Sequence, residues 1–110
     1  MALYEQVCIA RQELSNTQVE RLSEDIEGIL SDKGGSVLYK EYWGARKLAY
    51  AIKKNRRGHY LFFRLDSPPE AVIELERRLR LNEDILRYLT TKVDKHSEEP
   101  TPILASKQVN

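Results

Sequence analysis

The sequence predicts an α+β fold with the element order β-α-β-β-α-β. One four-stranded antiparallel sheet would carry two helices on one face. Three observations predict it. Residues 3–10, 36–52, 59–66 and 85–93 are rich in aliphatic and aromatic residues, the composition of strands. Two segments between them repeat apolar residues at helical spacing. Right-handed crossovers for both β-α-β units then put both helices on the same side of the sheet.

The first strand, LYEQVCIA at 3–10, does not alternate cleanly. Tyr4, Val7, Cys8 and Ile9 ask for cover on both faces, as in a central strand. Ser15 can cap the first helix, with Gln18 as its capping-box partner. Val19, Leu22, Ile26, Ile29 and Leu30 form one face of that helix, and Gly34-Gly35 end it. The second strand, 36–52, would span roughly 55 Å at about 3.3 Å per residue. Gly44 inside it predicts a bulge or bend. A polar turn is expected over 53–58, with Asn55 and Gly58 as strand breakers.

In the third strand, 59–66, Leu61, Phe63 and Leu65 share one face and Tyr60, Phe62 and Arg64 the other. Ser67-Pro68-Pro69-Glu70 opens the second helix, with proline in its first turn and an acid near its positive end. Val72, Leu75 and Leu79 continue it, and Asn82 is expected as a left-handed cap. ILRYLTTKV at 85–93 is the fourth strand. Residues 94–110 are polar, contain two prolines and have no period, so they read as a flexible tail after one domain at 1–93.

A chain of 110 residues suits one domain with its own core. No apolar run reaches the ~20 residues of a membrane helix, and the first residues lack the pattern of a secretory signal. The lone Cys8 allows no internal disulfide, which favours a reducing, cytoplasmic setting.

The net charge of +1 hides an uneven distribution. Residues 40–64 hold eight of the eighteen Lys and Arg and one acid, Glu41. Residues 13–32 hold six acids and one base, Arg21. One surface is therefore expected to be basic and another acidic. Arg46, Lys47, Lys53, Lys54, Arg56 and Arg57 alternate with aromatic residues along the predicted hairpin. Cations hold phosphate and flat rings stack on unpaired bases, so this is an RNA-binding composition. Arg80 and Arg87 add two candidates. Arg77 and Arg78 suit a helix C-terminus without further purpose. The sheet face opposite the helices carries Tyr60, Phe62, Arg64 and Leu89 and asks for a partner, protein or RNA.

Catalysis and cofactor binding find no support. His59 and His96 have no ligand cluster at metal-binding spacing, and no glycine-rich phosphate loop is present. The arginine motif of acylphosphatases, which share this element order, is missing. Arg57-Gly58-His59-Tyr60-Leu61-Phe62-Phe63 partly resembles the aromatic strand of RNA-recognition-motif domains, with His59 and Tyr60 off pattern.

Several segments together resemble the bacterial small-subunit ribosomal protein six family over roughly residues 1–93. They are Leu3-Tyr4-Glu5, Tyr42-Trp43-Gly44, Arg46-Lys47-Leu48-Ala49-Tyr50, Gly58-His59-Tyr60, the run Glu74 to Glu83, and Ile85 to Leu89. Ala51 departs from the proline usual in that family. The resemblance implies a ferredoxin-like fold, no enzymatic activity, and no metal, cofactor or small-molecule substrate. It implies a structural constituent of the small (30S) ribosomal subunit that binds the central domain of 16S rRNA as a heterodimer with small-subunit ribosomal protein eighteen. Arg46, Lys47, Lys53, Lys54, Arg56, Arg57, Arg80 and Arg87 are then the expected RNA contacts. Tyr60, Phe62, Arg64 and Leu89 are the expected protein-partner face. Two alternatives stay open: a single-strand RNA binder stacking bases on Tyr60 and Phe62, and a ferredoxin-like interaction domain without nucleic acid.

Overall fold

Ser15 starts the first helix as its position predicts. Its backbone is extended, its Oγ accepts from Gln18 N at 3.2 Å, and its own N donates to Gln18 Oε1 at 2.8 Å. Donors at the helix start that would otherwise go unpaired are thus satisfied reciprocally. The computed structural model describes residues 2–96. It contains β1 (Ala2–Arg11), α1 (Asn16–Asp32), β2 (Ser36–Ile52), β3 (Asn55–Ser67), α2 (Pro69–Leu81) and β4 (Ile85–Val93). The expected tail lies, beyond His96, outside the described residues.

The sheet is antiparallel with strand order β2-β3-β1-β4, so β1 is central. Register assigns the faces. Cys8 stands opposite Leu61 and Tyr88, and Gln6 opposite Phe63 and Thr90. Side chains of Tyr4, Cys8, Ala10, Leu61, Phe63 and Leu65 meet Leu22, Ile26 and Leu30 of α1 and Leu75 of α2 in one core. Both helices therefore cover one face. Gln6 is fully buried there and donates its Nε2 to Thr90 Oγ1 at 2.8 Å, which answers its desolvation. Burial pushes the Cys8 thiol up to about 12, so it packs as a small apolar group.

The second helix begins with Pro68 extended, Pro69 in the first turn and Glu70 near the positive end. It does not end in a left-handed residue as the sequence suggested. Asn82 is extended (φ −87°, ψ 118°), and its Oδ1 accepts from Asp84 N at 2.8 Å. That side-chain bond turns the chain into β4, so no left-handed cap is needed.

The hairpin joining β2 and β3 differs most from expectation. The turn is Lys53-Lys54 alone, with φ of 47° and 69°, and β3 already begins at Asn55. Positive φ at both central residues marks a type I′ loop, whose twist matches the flanking strands. Asn55 and Gly58 are buried strand residues, not breakers. Asn55 Oδ1 accepts from Gln12 N at 3.0 Å, and its Nδ2 donates to Lys53 O at 3.1 Å. Gly58 is required because a Cβ there would lie 2.5 Å from Ile9 Cγ2. Arg56 and Arg57 consequently sit on β3, not at a loop tip.

A straight 17-residue strand would be longer than the 36 Å maximum extent of the molecule. Register shifts at Val37/Tyr39, Tyr42/Gly44 and Lys47/Ile52 bend it. The middle shift is the bulge that Gly44 predicted, with φ at 87°. In the last, residues 48–51 lie opposite Arg56 alone.

Candidate nucleic-acid interface

The last register shift turns the end of the hairpin back over the sheet. Tyr50 leaves β2 at one edge and meets Arg87 on β4 at the other, where Arg87 Nη1 donates to Tyr50 Oη at 3.1 Å. Lys53 thereby lines a groove of about 320 Å³ with Leu79, Arg80, Arg87 and Tyr88. Three expected RNA contacts are thus brought together from a turn, a helix end and a strand. Arg80 Nη1 donates to Tyr88 Oη at 3.3 Å. Tyrosine hydroxyls hold both guanidiniums in place without cancelling their charge.

Arg46 and Lys47 form a second group with the start of β3. Arg46 stands opposite Gly58 and Lys47 opposite Arg57. Arg57 Nη2 donates to Ala45 O at 3.1 Å, while Lys47, Lys54, Arg56 and Arg57 are exposed. Only Lys53, Arg80 and Arg87 of the eight candidates line the groove.

Charge compensation separates the eight from Arg11, Lys40, Arg77 and Arg78, but not from Arg21, Lys33, Lys92 and Lys95, which likewise form no ion pair among the described residues. Arg11 pairs with Asp84 and Glu13, and Lys40 with Glu20 and Glu27. Arg77 and Arg78 both pair with Glu74, whose carboxyl their hydrogen bonds lower to about 2. None of the eight candidates forms an ion pair among the described residues. An uncompensated cation is what a phosphate needs as a partner.

The face opposite the helices is less open than the alternation of β3 implied. Phe62 and Arg64 are buried, at 5% and 4% exposure, and do not stand free as expected. The cause is Trp43. The bulge at Gly44 leaves Trp43 as the extra residue between Tyr42, opposite Leu61, and Gly44, opposite Tyr60. The indole then stacks on Phe62 at 5.5 Å and Tyr60 at 6.2 Å between ring centroids. The Arg64 guanidinium lies 4.6 Å from the Tyr39 ring centroid and 5.3 Å from that of Phe62. Buried Glu41 accepts from Trp43 Nε1 at 2.7 Å and from Tyr39 Oη. Of the four expected partner-face residues, Tyr60 is half-buried and Leu89 is 64% exposed.

Sequence reasoning missed Tyr39, Glu41 and Trp43 as the cover of this face, and Tyr50 and Tyr88 as the holders of Arg87 and Arg80. Gly44 was the available signal for Trp43, since a bulge changes which face the next side chain takes. No local signal marked Tyr50, because its contact depends on where β4 lies. Among the described residues no group of three or more His, Cys, Asp or Glu is placed to hold a metal, and no helix is long and apolar enough to cross a membrane.

Comparison with known proteins agrees with the fold. The family model described as ribosomal protein S6 matches residues 3–92. Small ribosomal subunit protein bS6 of Ruegeria pomeroyi is 56% identical over 101 residues, 92% of this chain and 86% of that protein. Its counterpart in Gluconobacter oxydans is 55% identical over 107 residues, 97% of this chain and 67% of that protein. The crystal structure of 30S ribosomal protein S6 from Thermotoga maritima has a TM-score of 0.79 at 26% identity, covering 98% of this chain and 94% of that one. The ferredoxin-like arrangement is common to both folds.

Proposed function

The chain belongs to the ribosomal protein S6 family, and from that premise we propose that it binds the central domain of 16S rRNA together with small-subunit ribosomal protein eighteen. The role is structural, in subunit assembly and translation, and residues 1–93 are the binding unit. The observation that carries this reading is the groove of Lys53, Arg80 and Arg87, three uncompensated cations fixed by tyrosine hydroxyls and the hairpin turn. Fixed cations without a base-edge code read the phosphate path of a folded RNA, so shape counts more than sequence. Arg46, Lys47, Lys54, Arg56 and Arg57 extend the basic surface along the hairpin.

The protein partner is assigned to the face opposite the helices. Tyr60 and Leu89 offer apolar surface there, beside the packed Trp43–Phe62–Arg64 stack. Side chains that are already packed lower the ordering cost of association.

A gel-shift titration of the purified pair against the central-domain RNA tests the reading. If about four cations neutralise phosphates, the slope of log affinity against log salt is about −3, and affinity falls about 50-fold between 50 and 200 mM salt. Salt-insensitive or absent binding refutes it. Tight binding to short unstructured RNA without the partner protein favours a single-strand binder instead.

A further inference from the structure

Tyr50 is the one large ring of the hairpin end that the fold exposes and yet holds still. It is 63% exposed. Its hydroxyl accepts from Arg87 Nη1 at 3.1 Å, and the Arg87 guanidinium carbon lies 5.7 Å from its ring centroid. Beside it Ile9, Leu48, Tyr60 and Arg87 line a pocket of about 190 Å³. That is below the ~300–1,000 Å³ of small-molecule sites. Its lining mixes apolar side chains with polar groups, the Arg87 guanidinium among them. Arg87 also lines the cationic groove that holds Lys53 and Arg80. A phosphate-binding groove and an exposed, clamped ring thus share one arginine.

We propose that Tyr50, clamped by Arg87, is a stacking platform for one unpaired RNA base whose neighbouring phosphate lies in the Lys53–Arg80–Arg87 groove. This rests on the RNA-binding reading above and adds a base contact to it. Stacking tolerates any base, because every base has a π-face. The platform therefore selects an unstacked nucleotide at that place in the RNA fold, not a sequence.

The test uses the full chain paired with its partner protein and the central-domain RNA, with variants Tyr50→Phe, Tyr50→Leu and Tyr50→Ala. Stacking on an aromatic residue is worth about 1–3 kcal/mol per base, so Tyr50→Ala weakens binding about 5- to 150-fold. Tyr50→Leu behaves like Tyr50→Ala although it keeps apolar bulk, and Tyr50→Phe keeps most of the affinity. All three variants lose the hydroxyl that holds Arg87, so Tyr50→Phe sets the reference slope, and Tyr50→Leu and Tyr50→Ala keep that slope because they lose no further phosphate contact. Unchanged affinity of Tyr50→Leu, with salt-sensitive wild-type binding intact, overturns the platform and leaves the RNA-binding reading standing. A slope shallower than that reference by about 1 overturns it too, since Tyr50 would then act only by positioning Arg87. A wild-type pair that does not bind the RNA overturns both.

Discussion

At the scale of single residues, the structure turns on a few side chains whose neighbours leave no alternative. Gly58 is one. Its missing Cβ leaves room for Ile9 Cγ2 and for the Ala10 carbonyl oxygen, 2.5 and 3.2 Å from where a methyl would be. The nearer contact comes from the central strand, which is hydrogen-bonded on both edges and yields little. Gly58→Ala is expected to destabilise the protein by about 1–3 kcal/mol, the usual cost of overpacking. Thermal unfolding checks it, and each kcal/mol lowers Tm by about 4–8 °C in a domain of this size. Glu74 gives a pH signature. Hydrogen bonds from Arg77 first and Arg78 second hold its carboxyl at about 2, well below the ordinary carboxylate value. Because folding lowers this value, the pair's contribution is complete above about pH 4.3 and is lost as pH falls toward 2. An NMR titration of Glu74 should show a midpoint near 2. A midpoint in the ordinary range would mean the two arginines do not hold it in solution. Alternation along β3 correctly assigned Leu61, Phe63 and Leu65 to the core. It left Phe62 and Arg64 exposed because alternation says nothing about a tryptophan arriving from a neighbouring strand.

At the scale of elements, the β2–β3 hairpin carries both the tightest turn and the basic surface. Lys53 and Lys54 adopt positive φ, which costs a non-glycine residue about 1–2 kcal/mol each. Asn-Gly is the favoured pair for such a loop. The double variant Lys53→Asn, Lys54→Gly is therefore expected to gain about 1 kcal/mol or more, seen as a higher Tm, while its RNA affinity falls with the loss of Lys53 from the groove. Equal or lower stability would contradict the strain, and unchanged affinity would take the turn out of the RNA surface. The sequence spread this turn over 53–58 because Asn55 and Gly58 carry turn chemistry. Their partners, Gln12 and Ile9, lie on the β1 side, which no local pattern of the hairpin reveals. The helix starts were legible because capping is local. Ser15 and Gln18 contain the whole signal.

At the scale of the whole molecule, the element order and the single helical layer were readable from period and crossover rules. The meeting of Lys53, Arg80 and Arg87 was not. It depends on the register shift after Lys47 and on β4 lying at the far edge of the sheet, both products of pairing between distant segments. The sequence named the cations, and the fold sorted them into one groove, one strand-borne group and Lys54 in the turn. It also separated them from Arg77, Arg78 and Lys40, whose charge is answered by Glu74, Glu20 and Glu27. The proposed association with a polyanion rests on this sorting more than on a net charge of only +1. The most direct test compares the salt dependence of central-domain RNA binding by the wild-type pair and by the triple variant Lys53→Ala, Arg80→Ala, Arg87→Ala. Losing three phosphate contacts should flatten the slope by about 2, at roughly 0.7 per contact. A triple variant that binds with the wild-type slope would contradict the claim that this groove holds the RNA.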